Sequence, residues 1–557
     1  MVKDDQGRLE PSSTRIGVRH PAIMVVVFAT AAAAMSLAAA FVLPRFQQNE
    51  PDGEGAPAGQ AAPAAKAPEL FRDWPTDRSP DVVLVLSGQQ HGYLQPCGCS
   101  RPQLGGLERR YNFIESLKKR GWPVVAVDLG DVAQRSGPQS QLKYGYAMRA
   151  LQIMGYSGVG IGENELAMPL MDALVQFTLQ NGDKSPRVLA GNLQNKKENF
   201  PGGGKKPSMV DSWIVASGMK DAPKVGVVSV VGVKLAEKVE KEIRDPAVHF
   251  SDNGKIIADV LKEMDAEKPE LSVLLYQGLP EEEEQGPDRA ARAHRGARAL
   301  AGRFPQFPIL LCQTKEEEPS GTADRIGNSL VIGVGHKGRY VGVVGAFRTG
   351  RQDRPFDFYY QLVALGESYE TPKGQEKNNP ILSLLEAYTQ EVKRDNYLDK
   401  YVRQKHSVQL AFPNATYVGS AKCKSCHPQE FKIWEKSGHS HALLALETAK
   451  RPALRQYDGE CVVCHVVGLQ YESGYRNGKD TPHLKDVGCE SCHGPGSEHI
   501  KNKNNAKLHA LMNPGKRQPN ETEQQHKLRV DQMCQKCHDT DNDVHWDFDK
   551  KWPKVAH

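Results

Sequence analysis

The sequence predicts a multidomain chain: an N-terminal membrane-spanning helix, a central α/β sandwich, and a mainly helical, strand-poor C-terminal domain. Three observations predict it. An apolar run fills residues 22–44, strand-like apolar runs alternate with amphipathic stretches from Val82 to Phe347, and one Cys-x-x-Cys-His motif recurs after Tyr417. The 557 residues divide into a cytoplasmic N-terminus (1–21), the apolar span (22–44), a linker (45–80), the α/β domain (81–370), a helical bridge (371–414) and the motif-bearing domain (415–557).

The run from Ala22 to Pro44 contains no charged residue and is long enough to cross a bilayer as one helix. Lys3, Arg8, Arg15 and Arg19 precede it, and a positive flank stays in the cytoplasm, so the rest of the chain faces outward. The small residues Ala38–Ala40 leave a cleaved signal peptide as the rival reading, and either reading gives the same compartment. Residues 48–68, rich in Ala, Pro and Gly, form a flexible linker.

The α/β domain follows from its strand candidates: Val82–Leu86, Val124–Leu129, Gly158–Ile161, Val188–Ala190, Lys224–Val230, Leu271–Tyr276 and Ile309–Cys312, closed by Ser329–Gly333 and Tyr340–Phe347. Amphipathic segments such as Leu107–Lys119 and Gly145–Met154 lie between them, the alternation expected of a sheet covered by helices. The polar, helix-like stretch from Pro372 to His406 reads as a bridge.

Eight of the eleven cysteines fall in four motifs: Cys423-Lys-Ser-Cys426-His427, Cys461-Val-Val-Cys464-His465, Cys489-Glu-Ser-Cys492-His493 and Cys534-Gln-Lys-Cys537-His538. Two cysteines at this spacing form thioethers with the two vinyl groups of a haem, and the adjacent histidine is the proximal iron ligand. Chance gives roughly 0.007 copies in such a chain, and a zinc knuckle needs no histidine after each second cysteine. The motifs therefore predict four covalent haems c. The core of this domain must be largely porphyrin. The formal net charge of +5 falls to roughly −3 once four haems bring about −8 in propionates, which gives no case for nucleic-acid binding. The acidic run Glu281–Glu284 and the basic run Arg289–Arg303 read as a solvated helix face.

Eight further histidines are candidates for the distal faces: His439, His441, His483, His499, His509, His526, His545 and His557. At least half of them are bystanders. From Tyr417 to His557 the sequence resembles the tetrahaem cytochrome c-554 type of bacterial ammonia oxidation. The resemblance rests on YVGSAKCKSCHPQEFKIWEKSGHSHAL, VGCESCHGPGSEH and CQKCHDTDNDVHWDFDKKWPKVAH. It implies His439, His499 and His557 as distal ligands, with His441 the competitor to His439, and one haem of four left without a distal protein ligand.

The segment LVLSGQQHGYLQPCGCSRPQLGGLERR (84–110) resembles the start of the 5'-nucleotidase-like metallophosphoesterases. So do Val127-Asp-Leu-Gly-Asp131, Gly162-Glu-Asn-Glu165, Ala190-Gly-Asn192 and Gly335-His-Lys-Gly-Arg-Tyr-Val-Gly342, in the family's order. Such enzymes activate water with two metals. Here Gln89-Gln90-His91 stands where Asp-x-His is expected and Asn164 where the family has histidine. Gln277 ends a strand that should end in histidine, and Cys312-Gln313-Thr-Lys315 replaces Gly-His-x-His. Only His91 and Asp131 clearly remain, and neutral amides hold hard dications poorly, so the resemblance implies a calcineurin-like fold without its chemistry. Cys97 and Cys99 read as a loop disulfide or spare thiols, or else a redox pair, and Cys312 as a buried small hydrophobe.

These observations describe an electron-transfer protein rather than an enzyme. It is expected in the inner membrane as a single-pass protein with its bulk in the periplasm. Its expected partners are redox proteins, either quinol-linked membrane complexes or soluble cytochromes. A haem enzyme with one open iron and an active phosphoesterase remain as other classes. The haem count is directly testable: a pyridine haemochrome assay and an intact mass should give four haems per chain, and a mass lacking any haem increment excludes the reading.

Overall fold

The computed structural model describes residues 69–557, except 97, 136, 170–173, 175–176, 178–185, 196–200, 205, 207, 243–247 and 283–295. The apolar run 22–44, Cys97 and most of the charged runs between Glu281 and Arg303 lie outside the described residues. Among those described, no helix is long and apolar enough to cross a membrane.

Fourteen strands are present among the described residues: β1 (Val82–Ser87), β2 (Val124–Asp128), β3 (Tyr156–Gly160), β4 (Arg187–Leu189), β5 (Leu193–Asn195), β6 (Trp213–Ala216), β7 (Val225–Val231), β8 (Val248–Phe250), β9 (Leu271–Gln277), β10 (Ile309–Cys312), β11 (Asp324–Ile326), β12 (Ser329–Ile332), β13 (Tyr340–Arg348) and β14 (Phe356–Ala364). Twelve of them build two six-stranded sheets, ordered β14-β13-β1-β2-β3-β4 and β11-β12-β10-β9-β7-β6. Strands β1 to β4 pair in parallel, as do β7, β9, β10 and β12. The outer strands β13, β14, β6 and β11 pair antiparallel.

Period-two alternation sorts the strand side chains into layers. Val82, Leu84 and Leu86 join Val125, Val127, Val227, Val273, Leu275 and Leu311 between the sheets. Val83 and Val85 point the other way, onto the helices Leu107–Lys118 and Ser140–Met154. The outer face of the second sheet packs on the helices Asn253–Met264 and Ala297–Arg303. The result is an α/β/β/α sandwich. With both faces of each sheet covered, its central strands read as continuous apolar runs, which is why they are visible in the sequence.

All nine strand candidates correspond to strands. The bridge does not run free: its helix Pro380–Arg394 buries Ile381, Leu385, Tyr388 and Val392 in the core outside the first sheet. Beyond it the chain forms short α- and 3₁₀-helices with a small apolar cluster that includes Leu398, Tyr417, Leu443, Val462 and Leu469. Glu69–His557 is one compact unit.

Candidate functional site

Each Cys-x-x-Cys-His motif folds as a helical turn. In the first and fourth, the histidine N–H reaches the first cysteine's carbonyl, His427 to Cys423 at 2.9 Å and His538 to Cys534 at 3.0 Å. The third is the helix Cys489–His493, and the second continues the turn Gly459–Val462 capped by Asp458. A turn of this kind puts residues three and four apart on one face, so both thiols and the imidazole look the same way. Cys423 touches Cys489 and Cys464 touches Cys537, which brings the first motif beside the third and the second beside the fourth. Within the third motif, Glu490 joins two of these turns: its buried carboxylate accepts from the N–H groups of Val418 and Gly419 and, on its own side, from Gly496. Burial pushes its carboxyl up.

The histidines fall into pairs. His499, in the helix Ser497–Lys501, faces His427 with ring centres 6.2 Å apart. His439, in the turn Gly438–His441, faces His538 at 6.0 Å, and His557 faces His493 at 5.7 Å. An iron bound on both sides at about 2 Å per metal–nitrogen bond, with each ring centre roughly 1 Å behind its nitrogen, places two imidazoles about 6 Å apart. Among the described residues, no histidine ring is paired with His465. Burial lowers the pKa of His439, His493 and His499, which favours the neutral imidazole that iron requires.

The other ring nitrogens are fixed by the protein. His465 Nδ1 bonds the Ala442 carbonyl at 2.6 Å, His493 Nδ1 the Met512 carbonyl at 2.5 Å, and His538 Nδ1 the Asp543 carboxylate at 2.9 Å. Each contact leaves Nε2 for a metal. None of these partners was singled out in the sequence, nor was Glu490. Of the other histidines, His441 bonds Ser440, His526 the Gly515 carbonyl and His509 the Lys503 carbonyl, and the His509 ring also lies 5.4 Å from that of His499. Trp546 stacks on His538 at 4.5 Å, while Phe548 and Trp552 stack on each other just before the chain end.

The candidates of the α/β domain meet at the C-terminal ends of its parallel strands, where such folds place their sites. Gln313 donates to Asp131 at 2.8 Å and to Gln277 at 3.0 Å, and Gln277 donates to the Leu129 carbonyl. The Gln89 amide exchanges hydrogen bonds with the Thr314 backbone in both directions. Asn164 bonds His91 at 2.9 Å and the Ala133 carbonyl, and Asn192 spans the Val231 carbonyl and Asn253. Glu165 accepts from the backbone N–H groups of Asp131, Ala133 and Gly162. Burial pushes both carboxyls up, with Glu163 and Asp128 adding to the rise at Asp131 and Asp131 adding to that at Glu165, and burial lowers His91 to about 4. Among the described residues, no group of three or more His, Cys, Asp or Glu side chains gathers as a metal site. Gln89, His91, Asp131 and Lys337 all have positive φ, between 48° and 61°, so the loops at the strand ends are strained around this network. Cys312 ends β10 fully buried, and burial pushes its thiol up to about 12, consistent with an inert core residue.

With this geometry in view, the comparisons with known proteins divide along the chain. Residues 422–494 match the family of cytochrome c554 and c-prime. The cytochrome c-554 of Nitrosomonas europaea is 30% identical over 138 residues, a match that spans 22% of this chain and 58% of the relative's own length. The C-terminal domain is therefore similar to cytochromes of this family, as its motif steps imply. Among solved structures, the chain is similar to a 5'-nucleotidase precursor from Thermus thermophilus, with TM-score 0.42, 17% identity, and coverage of 58% of this chain and 61% of that one. It is also similar to a calcineurin-like phosphoesterase of Bacillus subtilis, with TM-score 0.42, 15% identity, and coverage of 55% and 97%.

Two outcomes follow. Replacing His557 by Ala should convert one low-spin iron to high spin and raise its potential while haem content stays unchanged; an unaltered low-spin signal with unaltered potentials makes His557 a bystander. The purified protein should neither retain two equivalents of manganese through gel filtration nor turn over a generic phosphoester, and ordinary turnover with tightly bound metal overturns the reading of the amide network.

Proposed function

We propose that this protein is a membrane-anchored, extracytoplasmic cytochrome that relays electrons through four covalently bound haems, with an α/β domain that has no phosphoesterase chemistry of its own. The observation that carries the reading is the set of three histidine pairs 5.7–6.2 Å apart, each joining a motif histidine to a histidine from another turn. Cys423 and Cys426, Cys461 and Cys464, Cys489 and Cys492, and Cys534 and Cys537 would hold the porphyrins. His427, His465, His493 and His538 would be the proximal ligands, and His499, His557 and His439 the distal ligands to the first, third and fourth. A bound haem supplies one-electron chemistry, and imidazole on both faces leaves no position for substrate. The protein's share is to fix the ligands, their second hydrogen bonds and the closeness of the motifs. The apolar run 22–44 supports tethering at the outer face of the inner membrane, where quinol-linked complexes and soluble cytochromes are the fitting partners.

A second reading rests on His465, which no histidine ring faces among the described residues. An iron there would keep one position for a small nitrogen or oxygen species, which would make the protein a haem oxidoreductase. Absorption and paramagnetic-resonance spectra of the holoprotein separate the two. The relay should show three low-spin haems, and from the remaining haem, at the second motif, a high-spin signal that does not respond to nitric oxide or cyanide. Binding of either ligand with turnover favours the oxidoreductase, and four high-spin haems would overturn the histidine pairing.

A further inference from the structure

The fourth motif differs from its neighbours in what its histidine leans on. His465 and His493 donate to backbone carbonyls, whereas His538 Nδ1 lies 2.9 Å from the Asp543 carboxylate. A carboxylate on this N–H draws the proton toward itself, gives the ring part of an imidazolate's charge and makes Nε2 the stronger donor. A stronger donor favours ferric over ferrous iron and lowers the potential.

Asp543 belongs to the turn Asp539–Val544, and the α/β domain grips that turn from outside. Inside the turn, Asp539 accepts from the N–H groups of Asp541 at 3.0 Å and Asn542 at 2.7 Å. Lys337 and Arg339, from the loop between β12 and β13 beside the amide-lined pocket, both pair with Asp541. All three side chains are less than one-fifth exposed, so the cluster is shielded from the screening that weakens surface pairs. Glu317 pairs with both cations in turn. The Ser100 hydroxyl accepts from the Val544 N–H at 2.9 Å, and the Cys99 thiol donates to Asn542. Gly98, at φ 94°, meets the Asp541 carbonyl so closely that a Cβ there would clash.

We propose that the α/β domain tunes the fourth haem: Lys337 and Arg339 clamp Asp541, the clamp holds Asp543 on His538, and the contact keeps this haem more reducing than a carbonyl-bonded histidine would. The inference rests on the haem reading above. It makes Asp543, Lys337 and Arg339 positioning residues that act through His538, and it gives the loop between β12 and β13 a contact with the fourth motif.

The sign of the effect makes the test decisive. The full-length holoprotein is titrated spectroelectrochemically, the fourth haem being the one that turns high-spin in His439→Ala. Asp543→Asn should shift that haem's ferric/ferrous ratio about tenfold toward ferrous at a fixed potential, about 59 mV upward for one electron. Lys337→Ala with Arg339→Ala should also move it upward, because the turn is released. Bare electrostatics predicts the opposite, since removing two cations and unpairing Asp541 stabilises ferric iron. In the Asp543→Asn background the double substitution should no longer raise the potential. Lys337→Arg with Arg339→Lys should restore the wild-type value. A fourth haem whose potential stays put or falls in the double variant, with four haems attached, overturns the clamp and leaves the relay standing. Fewer than four haems in the unmodified chain counts against the relay itself and the clamp with it.

Discussion

The distance between opposed imidazoles governs the C-terminal domain. Rings held about 6 Å apart on separate turns have to be positioned by backbone that is not itself stacked into a conventional core. The structure meets this demand with short helices pinned at their starts. Asp458, Asn505, Thr522 and Asp547 each accept the N–H of a residue in the first turn that follows. Trp434 bonds the Val487 carbonyl and so fastens the helix after the first motif to the strand of chain entering the third. Glu490 makes the matching link from within the third motif. Polar connections of this directness fix spacing better than apolar contacts do, because their geometry is narrow.

How much of this was legible in the sequence depended on whether the signal was local. Every β-strand buried on both faces announced itself as an apolar run. Five others did not: β14, Phe356–Ala364, is interrupted by Asp357 and Gln361, β6, Trp213–Ala216, is a short edge strand buried only at Trp213, and the three-residue strands β5, β8 and β11 are too short to show a period. The Cys-x-x-Cys-His motifs are local patterns, and the steps at His439, His499 and His557 are implied by the resemblance to the cytochrome c-554 type. Which histidine faces which motif could not be read, since His439 reaches the fourth motif across nearly one hundred residues while the first lies beside it in sequence. Asp543 is five residues from His538 and was visible as a letter but not as a partner, because nothing in the sequence says which way the turn Asp539–Val544 folds.

The pocket of the α/β domain is a network of amides and carboxyls held in a strained backbone frame. Amides stand at 89, 164, 277 and 313, and each finds a hydrogen-bond partner within the pocket, so none of these four is left without a contact. The positive-φ residues Gln89, His91, Asp131 and Lys337 are held by backbone bonds that do not depend on metal. His91 N–H reaches the Asp131 carbonyl, and Lys337 N–H reaches the Gln89 carbonyl. The strain is distributed into the backbone, and the rim of the pocket therefore keeps its shape.

That rim is what the cytochrome domain meets. Lys337 and Arg339 at one point and Gln139 at another take hold of Asp541 and Asp458, the first just after the fourth motif and the second just before the second motif. Gln139 also receives the Tyr401 hydroxyl, and Tyr388 of the helix Pro380–Arg394 shares Asp458. Both junctions are buried and polar, a combination that stabilises little by itself but penalises any other alignment of the two domains strongly. The second motif is the one whose histidine faces no other, and the fourth is the one whose histidine leans on a carboxylate. The two unusual motifs are thus the two that the α/β domain touches through these junctions, so it is by its surface, rather than by its pocket, that it bears on the arrangement of the motif turns.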